Sequence, residues 1–424
     1  MRIEPSSRFR GQFLLPGDKS ISHRAAILGA LATGTTRITN YSSAADCAST
    51  LRCLEQLGVR FSRDGASVAI DANGPGSWRA PRDPLDAGNS GSTLRMLAGP
   101  LAGQPFRSEL TGDESLRQRP VERVATPLRA MGATVRSRDG RPPLTIEGGA
   151  LRGITWETPV ASAQVKTAVL LAGLLADGET TLREPAPSRD HTERMLPAFG
   201  VEVVRSGLAA TVRGGSPLHA AEVHVPADSS SASFLVVAAL VLPDSEVRLD
   251  GVLLSPTRTA FIDVLREMGG EVETRVESTE PEPVGTIVAR TSTLRGIVVD
   301  PALAPSLIDE VPALAVAAAL APGTFEISGA AELRIKESDR IAAMAEGLSL
   351  LGARIAERRD GLVIEGGTPL RGTTVRSHDD HRIAMALSVA ALAASGASEI
   401  EGAECVAVSF PEFFDILARG AGRA

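Results

Sequence analysis

The sequence predicts an α/β protein built from six similar units. Apolar, alanine-rich helical segments recur at intervals of 66 to 80 residues, with Leu31, Leu101, Leu174, Leu240, Leu320 and Leu392 at matching places. Short β-like runs follow at least four of these segments, and an amphipathic helix and further strands follow the runs. Each unit is therefore predicted as helix, strand, helix and strand pair, and such internal repetition determines the fold class.

The first helix of each unit is predicted to be buried. The segments are "SHRAAILGALATG", "STLRMLAGPLAG", "AQVKTAVLLAGLLADG", "SASFLVVAALVLPD", "PALAVAAALAPG" and "HRIAMALSVAALAASG". They are apolar nearly all round, which is typical of an interior helix, and their polar residues concentrate at their starts. Helix capping explains a Ser, Asp or Asn there. It does not explain the accompanying cations, which are Lys19, Arg24, Arg95, Lys166 and Arg382.

Buried charges are costly unless they are paired or used by a ligand. Helices with parallel N-termini would bring these cations together with free backbone amides. The pattern therefore predicts a region that binds anions.

The strands and second helices follow in the same order in each unit. The β-like runs are "TTRIT", "ETTLREP", "SEVRLDG" and "GTFEISG". The second helices are "CASTLRCLEQLG", "VERVATPLRAMG", "HTERMLPAFG", "AFIDVLREMGG" and "IAAMAEGLSLLG", and the final glycine suits a helix C-terminus. The sixth unit stops at "SFPEFFDILARG", so a strand from the N-terminus is predicted to supply what it lacks.

Composition narrows the function classes. A chain of 424 residues exceeds the usual size of one core, so two domains are expected. A net charge of -7 and 3% aromatic residues argue against nucleic-acid partners and anionic membrane surfaces. No long apolar run predicts a membrane span or a leader, so a cytoplasmic protein is expected. Cys47, Cys53 and Cys405 lack paired spacing, so all three are expected to be buried, without disulfide or zinc.

The stretch "LPGDKSISHR" at residues 15 to 24 is a candidate phosphate cradle. It fails as a nucleotide P-loop because Asp18 separates Gly17 from Lys19, and Gln12 stands where the first glycine is needed. A helix N-terminus with cationic and hydroxyl side chains remains a possible anion site. Taken alone, an ordinary capped helix with a solvated first turn explains the stretch better.

Eight ordered motifs make the chain resemble a known family. They are "LPGDKSISHRA", "GNSGSTLR", "LTGDESLRQRP", "SAQVK", "SRDHTE", "IDE", "RIKESDR" and "DDHRIAM". Together they resemble the 5-enolpyruvylshikimate-3-phosphate synthases, over essentially the whole chain. The resemblance implies a two-domain inverted α/β barrel with six repeats, inner helices and outer sheets. It also implies residues 1–15 plus 228–424 as one domain, residues 16–227 as the other, and an active site in the interdomain cleft.

The resemblance also implies a reaction and a set of site residues. The enolpyruvyl group of phosphoenolpyruvate passes to the 5-hydroxyl of shikimate 3-phosphate by addition and elimination, without metal or cofactor. Catalysis falls to Asp309, Glu337 and Lys19. Shikimate 3-phosphate binding falls to Lys19, Ser20, Arg24, Ser162, Ala163, Gln164, Ser188, Asp309 and Lys336. Phosphoenolpyruvate binding falls to Lys19, Gly91, Arg119, Gln164, Arg340 and Arg382, and a monomer is expected.

These residue types suit that chemistry. Each substrate carries a phosphate and a carboxylate, and the arginine fork binds either group with two hydrogen bonds. Addition needs a base for the hydroxyl and an acid for the methylene carbon, and elimination reverses the demands. A carboxylate beside a lysine can serve in both directions if their proton affinities lie near the working pH.

Other interpretations of single motifs stay open. "KESDR" taken alone favours a solvated helix face with charges three and four residues apart. "SHDDHR" offers His378 and His381 with Asp379 and Asp380 as possible metal ligands. Arg382 in the same turn would repel a metal ion, and the related helices begin without histidine pairs.

The sequence differs from some relatives of this family at two positions, and it leaves two alternative functions. Val408 stands where some relatives have a lysine before the final "FP", and His191 stands where some have a tyrosine near the shikimate ring. UDP-N-acetylglucosamine enolpyruvyl transferases share the fold, but they resemble "GAKN" at the first helix and use a loop cysteine that is absent from "LTGDESLRQRP". A non-catalytic sensor of phosphorylated metabolites is the other alternative, although Asp309 and Glu337 are both present.

Overall fold

A computed structural model describes residues 1–423 of the chain. It divides into two compact units. The continuous unit is Gly17–Val225, and the discontinuous unit is Met1–Pro16 with Pro226–Ala424. Helices and strands alternate throughout both, so the α/β prediction is confirmed.

The helices follow the predicted order. They are α1 (Lys19–Leu31), α2 (Ala45–Gln56), α3 (Gly91–Ala102), α4 (Glu114–Arg117), α5 (Glu122–Ala130), α6 (Ala163–Leu174), α7 (His191–Met195), α8 (Ser229–Val241), α9 (Ala260–Glu267), α10 (Ala304–Leu307), α11 (Val311–Leu320), α12 (Arg340–Leu350), α13 (His381–Leu392) and α14 (Phe413–Gly420). Short 3-10 helices cover Pro75–Ser77, Leu196–Phe199, Pro301–Leu303, Ala331–Ile335 and Ala403–Val408.

The strands are short and numerous. They are β1 (Arg2–Ile3), β2 (Arg10–Phe13), β3 (Thr33–Thr39), β4 (Arg60–Asp64), β5 (Ser67–Asn73), β6 (Leu85–Asp86), β7 (Arg107–Thr111), β8 (Thr134–Arg138), β9 (Arg141–Glu147), β10 (Leu151–Arg152), β11 (Thr155–Glu157), β12 (Ala176–Asp177), β13 (Glu179–Arg183), β14 (Val204–Ser206), β15 (Ala209–Arg213), β16 (Glu222–His224), β17 (Glu246–Leu253), β18 (Glu271–Ser278), β19 (Val284–Arg290), β20 (Gly323–Ile327), β21 (Arg354–Arg358), β22 (Gly361–Gly366), β23 (Thr374–Arg376) and β24 (Ser398–Glu401).

In the continuous unit, three four-stranded sheets pack against three buried helices. The four-stranded sheets have the orders β16-β3-β5-β4, β6-β7-β9-β8 and β11-β13-β15-β14, and β10 pairs with β12. The inner helices are α1, α3 and α6. Gly99 on α3 lies so close to α6 that an added Cβ would come within 2.1 Å of the Ala168 carbonyl oxygen. Only glycine permits that approach, because any side chain would separate the two helices.

The discontinuous unit repeats the arrangement. Its sheets have the orders β18-β19-β17-β2, β20-β22-β21 and β1-β24-β23, and its inner helices α8, α11 and α13 pack against one another. β1 pairs antiparallel with β24, so Arg2 faces Glu399. The predicted N-terminal strand therefore completes the sheet of the sixth unit. The apolar residues of all three helices join one buried core.

Side-chain caps start five of the six inner helices. Asp18, Ser90, Ser162, Asp228 and Asp380 each accept a hydrogen bond from a backbone N–H in the first turn. Helix α11 differs: its N-cap residue Glu310 makes no side-chain cap bond. The capping explanation therefore holds for five starts and fails at Asp309 and Glu310.

Two local expectations were wrong. The second helix of the third unit is only five residues long and continues as a 3-10 helix, because Pro197 cannot donate a backbone hydrogen bond. Cys405 is only partly buried, whereas Cys47 and Cys53 are buried as expected. Burial raises the pKa of Cys405 to about 12, so its thiol stays protonated near neutral pH.

Among the described residues, no single helix is long and apolar enough to cross a membrane. The segments Pro301–Leu307 and Val311–Leu320 reach the required length and apolarity only as a pair, and the pair is bent by 117°.

Candidate functional site

The first helix places Lys19 beside a buried carboxylate. Asp18 accepts a hydrogen bond from the Ile21 N–H at 2.8 Å and so serves as the helix cap. Lys19 Nζ lies 2.8 Å from Oδ2 of Asp46, a residue in the first turn of α2. The partner that orients Lys19 is therefore Asp46, which the sequence analysis did not single out, and Asp18 has a separate structural role.

Arg24 is buried and fixed by three elements of the continuous unit. Its Nε donates to Thr192 Oγ1 at 2.9 Å, its Nη1 donates to the Ser20 carbonyl at 2.8 Å, and its Nη2 donates to Thr167 Oγ1 at 2.9 Å. Nη2 also donates to the Ala163 carbonyl at 3.3 Å. These bonds bring three predicted site residues, Ser20, Arg24 and Ala163, to one place. Few rotamers remain open to the guanidinium, which reduces the entropy cost of binding an anion.

Ser162 and Ser188 are joined through one carboxylate. The Ser162 N–H donates to Oε1 of Glu184 at 2.9 Å, and the Ser188 hydroxyl donates to Oε2 at 2.8 Å. Arg189 Nη1 lies 3.4 Å from the Ser20 hydroxyl oxygen, so a further cation lies beside this predicted site residue. Arg189 belongs to the "SRDHTE" motif, but nothing in the motif indicated a role for it.

Gly91, Arg119 and Gln164 also lie together. Arg95 Nη1 donates to Gln164 Oε1 at 2.9 Å, and Gln164 Nε2 donates to Ser92 Oγ at 2.9 Å. A Cβ added at Gly91 would lie 2.6 Å from Nη1 of Arg95 and 3.5 Å from Nη1 of Arg119. The start of α3 thus presents backbone next to two guanidinium groups. Arg95 is thus a second cation at this place, beside the predicted site residue Arg119.

A buried histidine lies beneath these helix starts. His23 Nδ1 lies 2.7 Å from Thr50 Oγ1, and Thr50 Oγ1 lies 2.7 Å from Thr93 Oγ1. Thr93 in turn donates to Ser90 Oγ at 2.8 Å, so α1, α2 and α3 share one chain of hydrogen bonds. Burial lowers the pKa of His23 well below its usual value, and the charges of Lys19 and Arg24 lower it further. The ring is therefore neutral at neutral pH.

This histidine predicts an acid-sensitive stability. The unfolded chain binds a proton at His23 below about pH 6.5 while the folded chain does not, so stability falls as the pH falls, by about 1 kcal/mol between pH 6.5 and 5.5. For the unit that contains it, this corresponds to about 2–4 °C in the thermal midpoint. We expect His23→Gln to lose less between pH 7.5 and 5.5 than the unsubstituted chain. The control His224→Gln, at an exposed position, should keep the full loss; equal losses for both variants would contradict the prediction.

In the discontinuous unit, Arg340 is the centre of a carboxylate cluster. It is buried, and its Nε lies 2.7 Å from Oδ2 of Asp380. Its Nη2 lies 2.5 Å from Oε2 of Glu337, and its Nη1 lies 3.3 Å from Oδ1 of Asp309. Burial opposes the charge on Arg340, but Asp380, Glu337 and Asp309 outweigh it and raise its pKa. The surface interpretation of "KESDR" is therefore wrong.

Arg382 reaches the same aspartate from the start of α13. Its Nη1 donates to the Asp309 carbonyl at 2.8 Å and to the Ser230 hydroxyl at 2.5 Å. Its Nε lies 3.7 Å from Oδ1 of Asp309. The starts of α8, α11 and α13 meet at these contacts, and the carboxylate of Asp309 lies between two guanidinium groups.

Lys336 belongs to the same group of charges. Burial lowers its pKa, and the carboxylates of Asp309 and Glu332 oppose that effect. A lysine whose pKa is lowered can give up its proton more easily than an exposed one. The discontinuous unit thus brings together Asp309, Lys336, Glu337, Arg340 and Arg382, all predicted site residues.

Two side chains of "SHDDHR", those of Asp380 and His378, are engaged with protein groups. Asp380 accepts from Arg340 and Ser338, and it caps α13 through the Arg382 N–H at 2.9 Å. His378 pairs with Glu346, with 3.2 Å between Nε2 and Oε2. Over residues 1–423, no cluster of three or more His, Cys, Asp or Glu side chains is arranged to hold a metal ion.

Comparison with known proteins decides the family. The family described as EPSP synthase (3-phosphoshikimate 1-carboxyvinyltransferase) matches residues 3–417. A relative from Desulfitobacterium hafniense, named 3-phosphoshikimate 1-carboxyvinyltransferase, is 50% identical over 420 residues, which cover 98% of this chain and 97% of the relative. A relative of the same name from Geobacillus kaustophilus is 51% identical over 413 residues, 96% of this chain and 97% of the relative. The chain belongs to the EPSP synthase family.

Solved structures agree with that assignment. An EPSP synthase from Acinetobacter baumannii superposes with a TM-score of 0.88 at 44% identity, over 99% of this chain and 97% of the other. The enolpyruvyl transferase NikO from Streptomyces tendae gives a TM-score of 0.78 at 21% identity over 99% and 96% of the two chains, which shows a shared fold alone. The predicted fold class, the inverted α/β barrel of enolpyruvyl transferases, is confirmed.

Val408 and His191, the two positions at which the sequence departs from the resemblance, have defined places in the fold. Val408 is a half-buried apolar residue at the end of the 3-10 helix Ala403–Val408, and so it supplies no cation. His191 is the first residue of α7 and is completely buried.

Proposed function

We propose that this chain transfers the enolpyruvyl group of phosphoenolpyruvate to the 5-hydroxyl of shikimate 3-phosphate and releases phosphate. The observation that carries the proposal is the full-length match, at about half of all positions, to relatives named for this reaction. The product belongs to the shikimate pathway of aromatic amino-acid biosynthesis. We further propose that the active site lies in the interdomain cleft and that the enzyme acts as a cytoplasmic monomer.

The continuous unit supplies most of the proposed binding groups. Arg24, Ser20 and the Ser162 to Gln164 segment hold shikimate 3-phosphate together with Ser188. Lys19 contacts both substrates, and Gly91 and Arg119 hold phosphoenolpyruvate with Gln164. This division is supported by the contacts already described, which gather Ser20, Arg24 and Ala163 at one place and Gly91, Arg119 and Gln164 at another. Anions bind most strongly where helix N–H groups and guanidinium groups both donate hydrogen bonds to them.

The discontinuous unit supplies two of the three groups proposed for proton transfer, Asp309 and Glu337, and the continuous unit supplies the third, Lys19. Asp309 takes the proton of the 5-hydroxyl as its oxygen attacks C2 of phosphoenolpyruvate, and Glu337 with Lys19 delivers a proton to the methylene carbon. In elimination the demands reverse: Glu337 with Lys19 takes a proton back from that methyl carbon, the double bond returns, and the C2–O bond to phosphate breaks. Lys336 completes the shikimate 3-phosphate site, and Arg340 and Arg382 hold phosphoenolpyruvate. Charge developing on the tetrahedral adduct would be stabilised by these fixed cations.

Phosphate release tests this function directly. We expect the purified protein to release phosphate from phosphoenolpyruvate only when shikimate 3-phosphate is present, and mass spectrometry should find the enolpyruvyl ether as product. UDP-N-acetylglucosamine serves as the competing acceptor. Turnover with the UDP-sugar alone, or binding of both substrates without turnover, would show that the proposed function is wrong.

A further inference from the structure

A buried group of three charges lies beneath the start of α6. Lys166 Nζ lies 2.7 Å from Oε2 of Glu184 and 2.8 Å from Oε1 of Glu193. All three side chains are almost completely buried, with exposed fractions of 6%, 3% and 4%. Two carboxylates thus share one ammonium. Lone buried charges are expensive, so the second carboxylate needs an explanation.

The two carboxylates differ in what else they hold. Glu184 accepts from the Ser162 N–H at 2.9 Å and from the Ser188 hydroxyl at 2.8 Å. Both serines belong to the proposed shikimate 3-phosphate site. Glu193 makes its ion pair with Lys166 and has no such bond to Ser162 or Ser188 among the described contacts. We propose that Glu184 is a positioning residue, which sets the start of α6 and the Ser188 side chain for the phosphorylated substrate.

Hydrogen-bond counting shows how Glu184 can do this without blocking the ligand. The Ser188 hydroxyl has one proton, and it points to Glu184 when no phosphate competes for it. On binding, that proton can turn toward a phosphate oxygen. Glu184 still keeps Lys166 and the Ser162 N–H, so no buried carboxylate oxygen loses every partner. Lys166 therefore holds Glu184 in place, and the serine is free to exchange partners.

The chain offers a matched pair of variants. Glu184→Gln and Glu193→Gln each remove one of the two carboxylates, and each leaves Lys166 with one remaining carboxylate. Only Glu184→Gln disturbs the bonds to Ser162 and Ser188. The glutamine amide has one acceptor oxygen and one NH2 group. Its NH2 group must therefore take the place of a carboxylate oxygen that accepts a hydrogen bond in the unsubstituted chain. We expect Glu184→Gln to raise KM and the calorimetric Kd for shikimate 3-phosphate by about tenfold, the effect of one lost buried hydrogen bond. KM for phosphoenolpyruvate should stay within about twofold, since Glu184 makes no bond to that part of the site.

Three further measurements distinguish a positioning role of Glu184 from a purely structural role of the buried charges. Glu193→Gln should leave both KM values within about twofold, and the double variant Glu184→Gln with Ser188→Ala should bind no more weakly than the weaker single variant. Equal effects of Glu184→Gln and Glu193→Gln, or equal increases in both KM values, would overturn the proposal. If Glu184→Gln does not fold, Glu184→Asp keeps the charge beside Lys166 and should show the same selectivity. The inference rests on the proposed function, but failure of that function appears in the unsubstituted chain as absence of turnover.

Discussion

Asp309→Asn will lower kcat by about 10²–10⁴-fold, the range expected when one general base is removed. The two KM values should change by less than about fivefold, because Asn keeps the shape of the side chain and Arg340 keeps its bonds to Asp380 and Glu337. The physical reason is the place of Asp309. Its carboxylate lies between the guanidinium groups of Arg340 and Arg382, immediately before the N-cap residue of α11. Steady-state kinetics with both substrates measure the split between kcat and KM.

Asp339→Asn is the matched control for this prediction. Asp339 lies immediately before Arg340, pairs with Arg334 at 2.7 Å and caps α12 through the Ala342 N–H. Asparagine also caps helices well, so this variant loses only a partly exposed ion pair and should keep its kcat. Unchanged kcat in Asp309→Asn would remove Asp309 from the proton transfer. A loss shared by both variants would point instead to general damage around α12.

Repetition and helix starts made the fold predictable. An interior helix is apolar on every side, so six such helices stand out along the chain regardless of their neighbours. The caps that start five of them are local too, because a Ser or Asp bonds an N–H two or three residues later. The third unit was harder, since Pro197 ends α7 after one turn and the apolar pattern carries no sign of the change to a 3-10 helix.

The partners of the charged residues were not predictable in the same way. Lys19 and Asp46 are 27 residues apart, and Arg340 and Asp380 are 40 residues apart. Nothing in the spacing of either pair indicates contact, because the sheet connections between them decide which helix starts become neighbours. The cations themselves stood out, since a charge on an apolar helix is anomalous. Glu184 did not, because it follows a strand in an ordinary loop position and its burial is visible only in the fold.

"KESDR" shows how tertiary structure overrides a local pattern. Glu337 and Arg340 are three residues apart, a spacing that on a solvated helix contributes only about 0.2–0.5 kcal/mol. In the structure Arg340 is buried, and the completely buried carboxylate of Asp380 is its partner at 2.7 Å. Breaking a pair of that kind leaves an uncompensated charge in the interior. The same five letters therefore describe a weak surface pattern in sequence and a strong buried network in the fold.

Arg340→Lys will destabilise the discontinuous unit by about 3–5 kcal/mol, because a single ammonium cannot replace a fork that spans three carboxylates. Asp380, which is completely buried, would lose its bidentate partner. The thermal midpoint should fall by at least about 6 °C. kcat/KM should fall by about 10²-fold or more, since displacement of Asp309 or Glu337 by an ångström is costly.

Arg334→Lys separates the effect of burial from the effect of losing a fork. Arg334 also pairs with two carboxylates, at 2.7 Å to Asp339 and 3.2 Å to Glu357, but 29% of its side chain is exposed. Water can replace what the guanidinium loses there, so the expected cost is about 1 kcal/mol or less. Calorimetric midpoints of both variants at one pH make the comparison. Similar midpoints would mean that the number of ion pairs, and not their burial, decides the stability of this unit; a stable but inactive Arg340→Lys would assign Arg340 to substrate binding alone.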